Sequence, residues 1–148
     1  MSAPYATLLL DLTSWDLVID SNGNIAVATA PYALAQDVAS AIKTFLGEVY
    51  YDTTQGIDYL GTILGQRPSL SVLQASMVNA ALTVPGVVSA VCVIEKFENR
   101  QVTGQVQFTD ANGTSGSVAI GNSGQRMIDV LATTGGSPIT MGGRYIEI

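Results

Sequence analysis

The spacing of hydrophobic positions changes several times along the chain, and each change marks an element. Leu8, Leu10 and Leu12 alternate with their neighbours, as on a strand. Trp15 to Asp20 is a second strand-like stretch and runs into Ser21-Asn22-Gly23-Asn24, where the Asn-Gly pair tolerates the positive φ of a tight turn. Ile25, Val27 and Thr29 continue on the far side, so residues 15–29 predict a β-hairpin. The period then becomes three and four. Leu34, Val38, Ile42, Phe45 and Val49, widened by Ala35, Ala39 and Leu46, stand opposite Gln36, Asp37, Ser40, Lys43 and Thr44. That pattern predicts an amphipathic helix opening near Pro31 and ending near Gly47.

Residues 50–59 are rich in tyrosine and hydroxyls and read as a loop, followed by a short apolar piece from Leu60 to Leu64. Ser69 is a good N-cap for a second helix whose Leu70, Leu73, Met77, Ala80, Ala81 and Val84 share one side, and Pro85-Gly86 ends it. The longest strand signals follow. Val87 to Ile94 is almost wholly apolar, Val102, Gly104, Val106 and Phe108 alternate, Asp110-Ala111-Asn112-Gly113 is a turn, and Ser117 to Ile120 is a third strand. Residues 87–120 thus predict a three-stranded antiparallel meander with one apolar face. Beyond Gly121, glycine-rich stretches bracket Met127 to Leu131 and the terminal pentamer Arg144 to Ile148. This tail suits either an arm that pairs with a neighbour's sheet edge or an edge strand of the same domain. The expected organisation is one α+β domain over 1–121, with two helices packed on a mostly antiparallel sheet, and an extended C-terminal arm over 122–148.

Composition adds a constraint. Hydrophobic residues make up 47% of the chain and charged residues 12%, about half the usual share for a soluble domain. Six basic and twelve acidic residues cover a small surface thinly. Other subunits are expected to bury part of the apolar surface, the alternative being a surface of uncharged Ser, Thr, Asn and Gln. The basic residues are scattered, with no stripe to displace counterions from phosphates, so no nucleic-acid partner is expected. Thr7 to Leu12 is too short for a membrane span and is broken by Asp11. No membrane partner and no export signal are expected, and folding is expected in a reducing cytoplasm.

The chain has no histidine, hence no Ser-His or Cys-His nucleophile pair and no imidazole base or zinc ligand. Cys92 stands alone in an apolar run and reads as a buried, inert thiol. Gly121-Asn122-Ser123-Gly124 lacks the lysine of a phosphate loop, and Asn112-Gly113-Thr114 lacks the acidic spacing of a calcium loop. No cofactor, no metal and no catalytic residue are expected. The enzymatic alternative is Glu48 with Asp52 and Asp58, carboxylates beside aromatic rings, as in glycosidases that set two carboxylates about 5–10 Å apart. On the plainer reading, Glu48 caps the helix end or pairs with a basic residue, while Asp52 and Thr53 order the loop.

The stretch from Gln36 through Gly47-Glu48, followed by Asp52 and Gly56-Ile57, resembles the hallmark region of the sheath-initiator family. These are baseplate wedge proteins of contractile phage tails, once labelled lysozyme-like, with relatives in type VI secretion. The order of an amphipathic helix, a Gly-Glu step, a loop closing on glycine, a second helix, a proline-centred turn and a meander extends the resemblance over about residues 15–120. Two positions differ from many members: Val49 stands where arginine often follows the glutamate, and Val84-Pro85-Gly86 stands in place of Glu-Pro-Arg.

The resemblance implies a fold related to the C-terminal domain of the tail sheath protein and six copies in a ring around the tube. It implies sheet edges that accept extended arms from the first sheath ring. The implied partners are the tail sheath protein and baseplate wedge proteins, in a virion baseplate assembled in the host cytoplasm. Glu48, Asp52, Pro85, Gly86, Tyr145 and Ile146 are the expected partner-binding residues. A baseplate or tail-completion component that binds the tail tube is the alternative within the same assembly, and a peptidoglycan-cleaving glycosidase the alternative outside it.

Overall fold

The computed structural model describes residues 5–11, 14–63, 68–98 and 101–122, together with the backbone of strands at 126–128, 130–134, 137–140 and 146–147. The elements are β1 (Ala6–Leu8), β2 (Val27–Thr29), α1 (Tyr32–Lys43), a π-helical turn (Tyr59–Ile63), α2 (Leu70–Leu82), β3 (Val87–Glu98), β4 (Gln101–Asp110), β5 (Ser115–Asn122), β6 (Arg126–Ile128), β7 (Val130–Thr134), β8 (Ser137–Thr140) and β9 (Ile146–Glu147). The fold is α+β: α1 and α2 lie on an antiparallel sheet, and a small second sheet covers α1.

The N-terminal hairpin differs from expectation in its pairing. β2 takes β1 as its antiparallel partner, with Leu8 opposite Val27 and Ala6 opposite Thr29. The arm between them is held by single bridges, Leu10 opposite Leu17 and Ile19 opposite Ile25. The turn itself forms as the Asn-Gly pair requires. Gly23 has φ +83, and the Asp20 carboxylate accepts the amides of Asn22 (2.8 Å) and Asn24 (2.9 Å).

Helix α1 stops earlier than its apolar stripe. Thr44 turns extended (φ −69, ψ 126), so Phe45, Leu46 and Val49 fall outside the helix, and Phe45 and Leu46 are well exposed. The cause is a competing ladder: Ile57 N–H donates to the Thr44 carbonyl (2.9 Å), and Leu46 N–H donates to that of Ile57 (2.9 Å). Within α1, burial is not confined to one face. Tyr32, Ala33, Leu34, Ala35 and Gln36 are consecutive and all buried, because the small sheet covers one side and the main sheet and α2 the other. Gln36, expected on a polar face, is only 3% exposed. Its amide donates to the Leu8 carbonyl (2.7 Å) and accepts from Leu10 N–H (3.0 Å), which satisfies all three groups. Leaving any one of them buried and unpaired would cost about 1–3 kcal/mol.

α2 begins as the Ser69 N-cap predicts, its hydroxyl accepting from Val72 N–H (3.4 Å), and buries Leu73, Met77, Ala80 and Ala81. That face meets the meander, where Cys92, Val106, Phe108 and Val118 point inward and are buried. Each large apolar side chain so covered stabilises the fold by roughly 1.5–3 kcal/mol. Cys92 Sγ lies 3.9 Å from Met77 Sδ, and burial pushes the thiol pKa up, so it stays neutral. Gln74 Nε2 also donates to the Cys92 carbonyl (3.2 Å), tying α2 to β3.

β3, β4 and β5 pair in order, with Cys92 opposite Val106 and Val106 opposite Val118. Register shifts interrupt β3 between Val87 and Ser89 and between Ile94 and Lys96. The expected single apolar face is corrected at β3, where Val88, Val91 and Val93 are exposed on the side away from Cys92. Past β5 the described backbone stays with this sheet: β7 pairs β5 and β8, while β6 pairs β5 and β9.

Between α2 and β3 the chain turns at Gly86, whose φ is +100. A Cβ there would meet Leu34 Cδ2 at 3.1 Å and the Tyr5 ring at 3.7 Å. Gly86→Val therefore carries both left-handed backbone strain and a clash with the core. It is expected to lower stability by about 2 kcal/mol, read as a fall in Tm on the order of 5 °C. An unchanged melting curve would contradict the assignment of strain to this turn.

Candidate functional site

Glu48 and Asp52 share the loop that follows α1. After Thr44 the chain reverses through Gly47 (φ +85), Glu48 N–H donates to the Phe45 carbonyl (3.0 Å), and the Glu48 carboxylate accepts from Phe45 N–H (2.9 Å). Glu48 thus closes a four-residue turn, Phe45 to Glu48, and fixes the direction in which the exposed loop leaves the helix. Asp52 does the same for the loop tip. It accepts from the Thr54 amide (3.1 Å), the Thr54 hydroxyl (2.6 Å) and Gln55 Nε2 (2.9 Å). These donors stabilise the charged form and hold the Asp52 carboxyl below the usual carboxylate range. The loop returns through Gly56 (φ +106), where a Cβ would run into the Phe45 backbone, so only glycine lets the two segments close.

The base of the loop is aromatic. The Phe45 and Tyr59 ring centroids are 5.1 Å apart, and the Tyr59 hydroxyl donates to the Ile42 carbonyl at the end of α1 (2.5 Å). Burial pushes the Tyr59 pKa up to about 12. Beside it, Trp15, Ser40, Lys43, Thr44 and Glu48 line a shallow open depression. The Lys43 ammonium sits 4.8 Å from the Trp15 ring centroid, a contact worth about 0.5–1 kcal/mol at an exposed position. Trp15 itself has φ +56, a left-handed conformation held by its N–H bond to the Asp11 carbonyl (3.0 Å). At the loop tip Tyr50 and Tyr51 meet edge to face at 5.1 Å and are 90% and 75% exposed.

The remaining expected site residues do not join this loop. Gly86 lies against Leu34 and Tyr5 at the start of α1. Leu34 is nine residues from Lys43, or roughly 13 Å along the helix. Ile146 lies in β9 opposite Ile128, and Tyr145 falls outside the described residues. The carboxylates considered for hydrolysis are each committed to their own turn; Asp58 accepts from Gly61 N–H (2.8 Å) much as Glu48 accepts from Phe45. Among the described residues no group of three or more His, Cys, Asp or Glu could hold a metal ion, and no helix is long and apolar enough to cross a membrane.

Sequence reasoning missed one feature, the apolar outer face of β3. Its signal was present: from Val87 to Ile94 the residues are apolar at both odd and even positions, which a strand with one wet face would not need. β3 also pairs only with β4, so its second edge carries no partner strand among the described residues. A loop fixed by its own carboxylates, next to α1, and a long apolar strand at the sheet margin are two exposed surfaces of the described residues.

A family model described as contractile injection system sheath initiator matches residues 6–113, from β1 through the β4–β5 turn. The chain belongs to that family. The match spans α1, the Gly47-Glu48 loop, α2, the Pro85-Gly86 turn and the first two meander strands, so it includes both surfaces just described. Comparison with curated proteins found no matching relative. As a sheath initiator the chain has a sheath-related structural role in a contractile injection system.

The lowered pKa of Asp52 gives the loop a pH dependence of known sign. Because the folded-state value lies below the unfolded one, its stabilising contribution is present above the unfolded pKa and is lost as pH falls through the folded one. In an NMR titration the Thr54 amide is expected to shift with a midpoint below about 3.9, the value of an unperturbed aspartate. Asp52→Ala is expected to remove that transition and to speed chymotryptic cleavage at Tyr50 and Tyr51 several-fold. A Thr54 midpoint at or above the ordinary value would show that Asp52 does not hold the turn.

Proposed function

We propose that this sheath initiator templates sheath polymerisation by offering the free edge of β3 to an extended strand of the first sheath ring. The observation that carries the reading is the pairing of β3: twelve residues long, among the described residues it is hydrogen-bonded to a strand, β4, on one side only. An unpaired edge presents a row of N–H and C=O groups that an incoming strand satisfies, and exposed Val88, Val91 and Val93 offer it apolar contact on one face. The charged residues of β3, Glu95, Lys96 and Glu98, all fall in its last four positions, so the stretch from Val87 to Ile94 carries no charge to blunt the edge.

In this reading six copies form a ring in the tail baseplate, assembled in the host cytoplasm. The Glu48 and Asp52 loop and the Pro85-Gly86 turn contact baseplate wedge proteins. Tyr145 and Ile146 contact a neighbouring subunit, Ile146 from the margin of this chain's own sheet, where it pairs with Ile128. Each role is one of binding and positioning, without turnover of a substrate.

The test is electron microscopy of the purified chain mixed with the sheath subunit of the same system. Ordered sheath stacks are expected to start only where this chain is present. Stacks that form equally well without it would end the templating reading, and co-sedimentation with the tail tube would then favour a tube-binding role. For the edge itself, Val91→Lys places a charge on a side chain that is 58% exposed, so its stability change is expected within about 0.5 kcal/mol. Nucleation is expected to fall several-fold, because a lysine on an edge strand opposes strand addition. Full nucleation by a correctly folded Val91→Lys protein would place the sheath contact elsewhere.

A further inference from the structure

The N-terminal sheet carries an apolar face that neither the core nor the β3 edge uses. Three pairings set its side chains on one surface: Leu8 opposite Val27, Leu10 opposite Leu17, and Ile19 opposite Ile25. Leu8 is 47% exposed, Leu17 50%, Ile19 70%, Ile25 53% and Val27 58%, whereas the intervening Ala26 and Ala28 face inward and are buried. The five exposed side chains leave on the order of 500 Å² of apolar surface, the size of the largest patch on a typical monomer, which is often functional.

The charges that this segment itself carries have one sign, and Lys43 of α1 approaches it over the Trp15 ring. Asp11, Asp16 and Asp20 lie in the same segment, and between Tyr5 and Tyr32 there is no lysine or arginine. Asp16 accepts from Leu17 N–H (2.7 Å), and the amides of Asn24 and Asn22 hold the Asp20 carboxyl low, so it stays ionised at neutral pH. A second copy laid face to face on this surface would set carboxylates against carboxylates, and an anionic lipid surface would meet the same repulsion. Juxtaposed like charges oppose association, while a basic rim around an apolar centre complements this face.

We propose that the face formed by Leu8, Leu17, Ile19, Ile25 and Val27 docks a non-identical protein of the injection system through an apolar segment flanked by Lys or Arg. This surface is separate from the β3 edge and does not rest on the templating reading. It gives the chain two attachments of different chemistry: backbone pairing at β3, and side-chain burial with charge complementarity at the N-terminal sheet.

Photo-crosslinking in intact particles tests it. The full-length chain carries p-benzoylphenylalanine in place of Ile19, and a second preparation carries it in place of Val91; if bulk at 19 blocks incorporation, position 27 serves the same purpose. Irradiation is expected to join position 19 to a different protein, and mass spectrometry to place the adduct in an apolar peptide with Lys or Arg close by. An adduct with a second copy of this chain would overturn the proposal. So would no adduct from position 19 in particles where position 91 does react. Adding Asp16→Lys is expected to lower the yield at 19 several-fold and to leave that at 91 unchanged, and an unchanged yield at 19 would remove the basic partner. Loss of the adduct at 91 alone would count against the templating reading and leave this face standing.

Discussion

A helix enclosed between two sheets has to satisfy its polar side chains inside the protein, and in α1 that constraint falls on Gln36. Its one amide answers a carbonyl and an N–H of the N-terminal segment, at Leu8 and Leu10. Those two bonds draw the segment against α1, and β1 then becomes the partner of β2. The small sheet follows from this, with its alanines inward and its leucines, isoleucines and valine outward. Tyr5 is fixed by the same segment: its hydroxyl donates to Asp37, and its ring comes to lie beside Gly86 at the far end of α2. Thus one amide links the N-terminal sheet, the first helix and the turn into the meander.

The sequence is sparing with charge, and the structure puts several of its carboxylates to use in turns. Asp20, Glu48, Asp52, Asp58 and Asp110 each accept backbone amides within four residues of themselves. An ionised carboxylate that receives two or three such donors holds a turn more firmly than a neutral acceptor does. The surfaces between these turns are left to apolar and hydroxyl side chains. This suits a protein that sits among other subunits, where an apolar contact costs less desolvation than a charged one.

Most of the architecture was legible in the sequence. The Ser69 cap, the Leu73-Met77-Ala80 stripe and the alternation from Val102 to Phe108 gave α2 and the meander because each depends on local spacing. The end of α1 was not legible, since Phe45 and Leu46 keep the helical period and only the later return of Ile57 takes their backbone into another ladder. The partner of β2 was hidden for a related reason: a turn at Asn22-Gly23 announces a local hairpin, while the strand that pairs with Val27 lies nearly twenty residues earlier, secured by a glutamine that looked solvent-facing. For the candidate site, the Gly47-Glu48 step and Gly56 could be read directly, since positive φ and close approach leave little choice of residue. The outer face of β3 was visible only as an excess of valine whose purpose no periodicity states.

The two irregularities in β3 give its edge a length. Between Ser89 and Ile94 the ladder with β4 runs without a shift, and on either side of that stretch the strand changes register. Six residues of regular strand extend about 20 Å. A strand laid along this edge therefore finds one commensurate segment, and a longer one meets a backbone that has stepped out of phase. For an edge used as proposed, these register shifts would act as end stops on a ruler, favouring a short visiting strand and opposing indefinite edge-to-edge growth by copies of the chain itself.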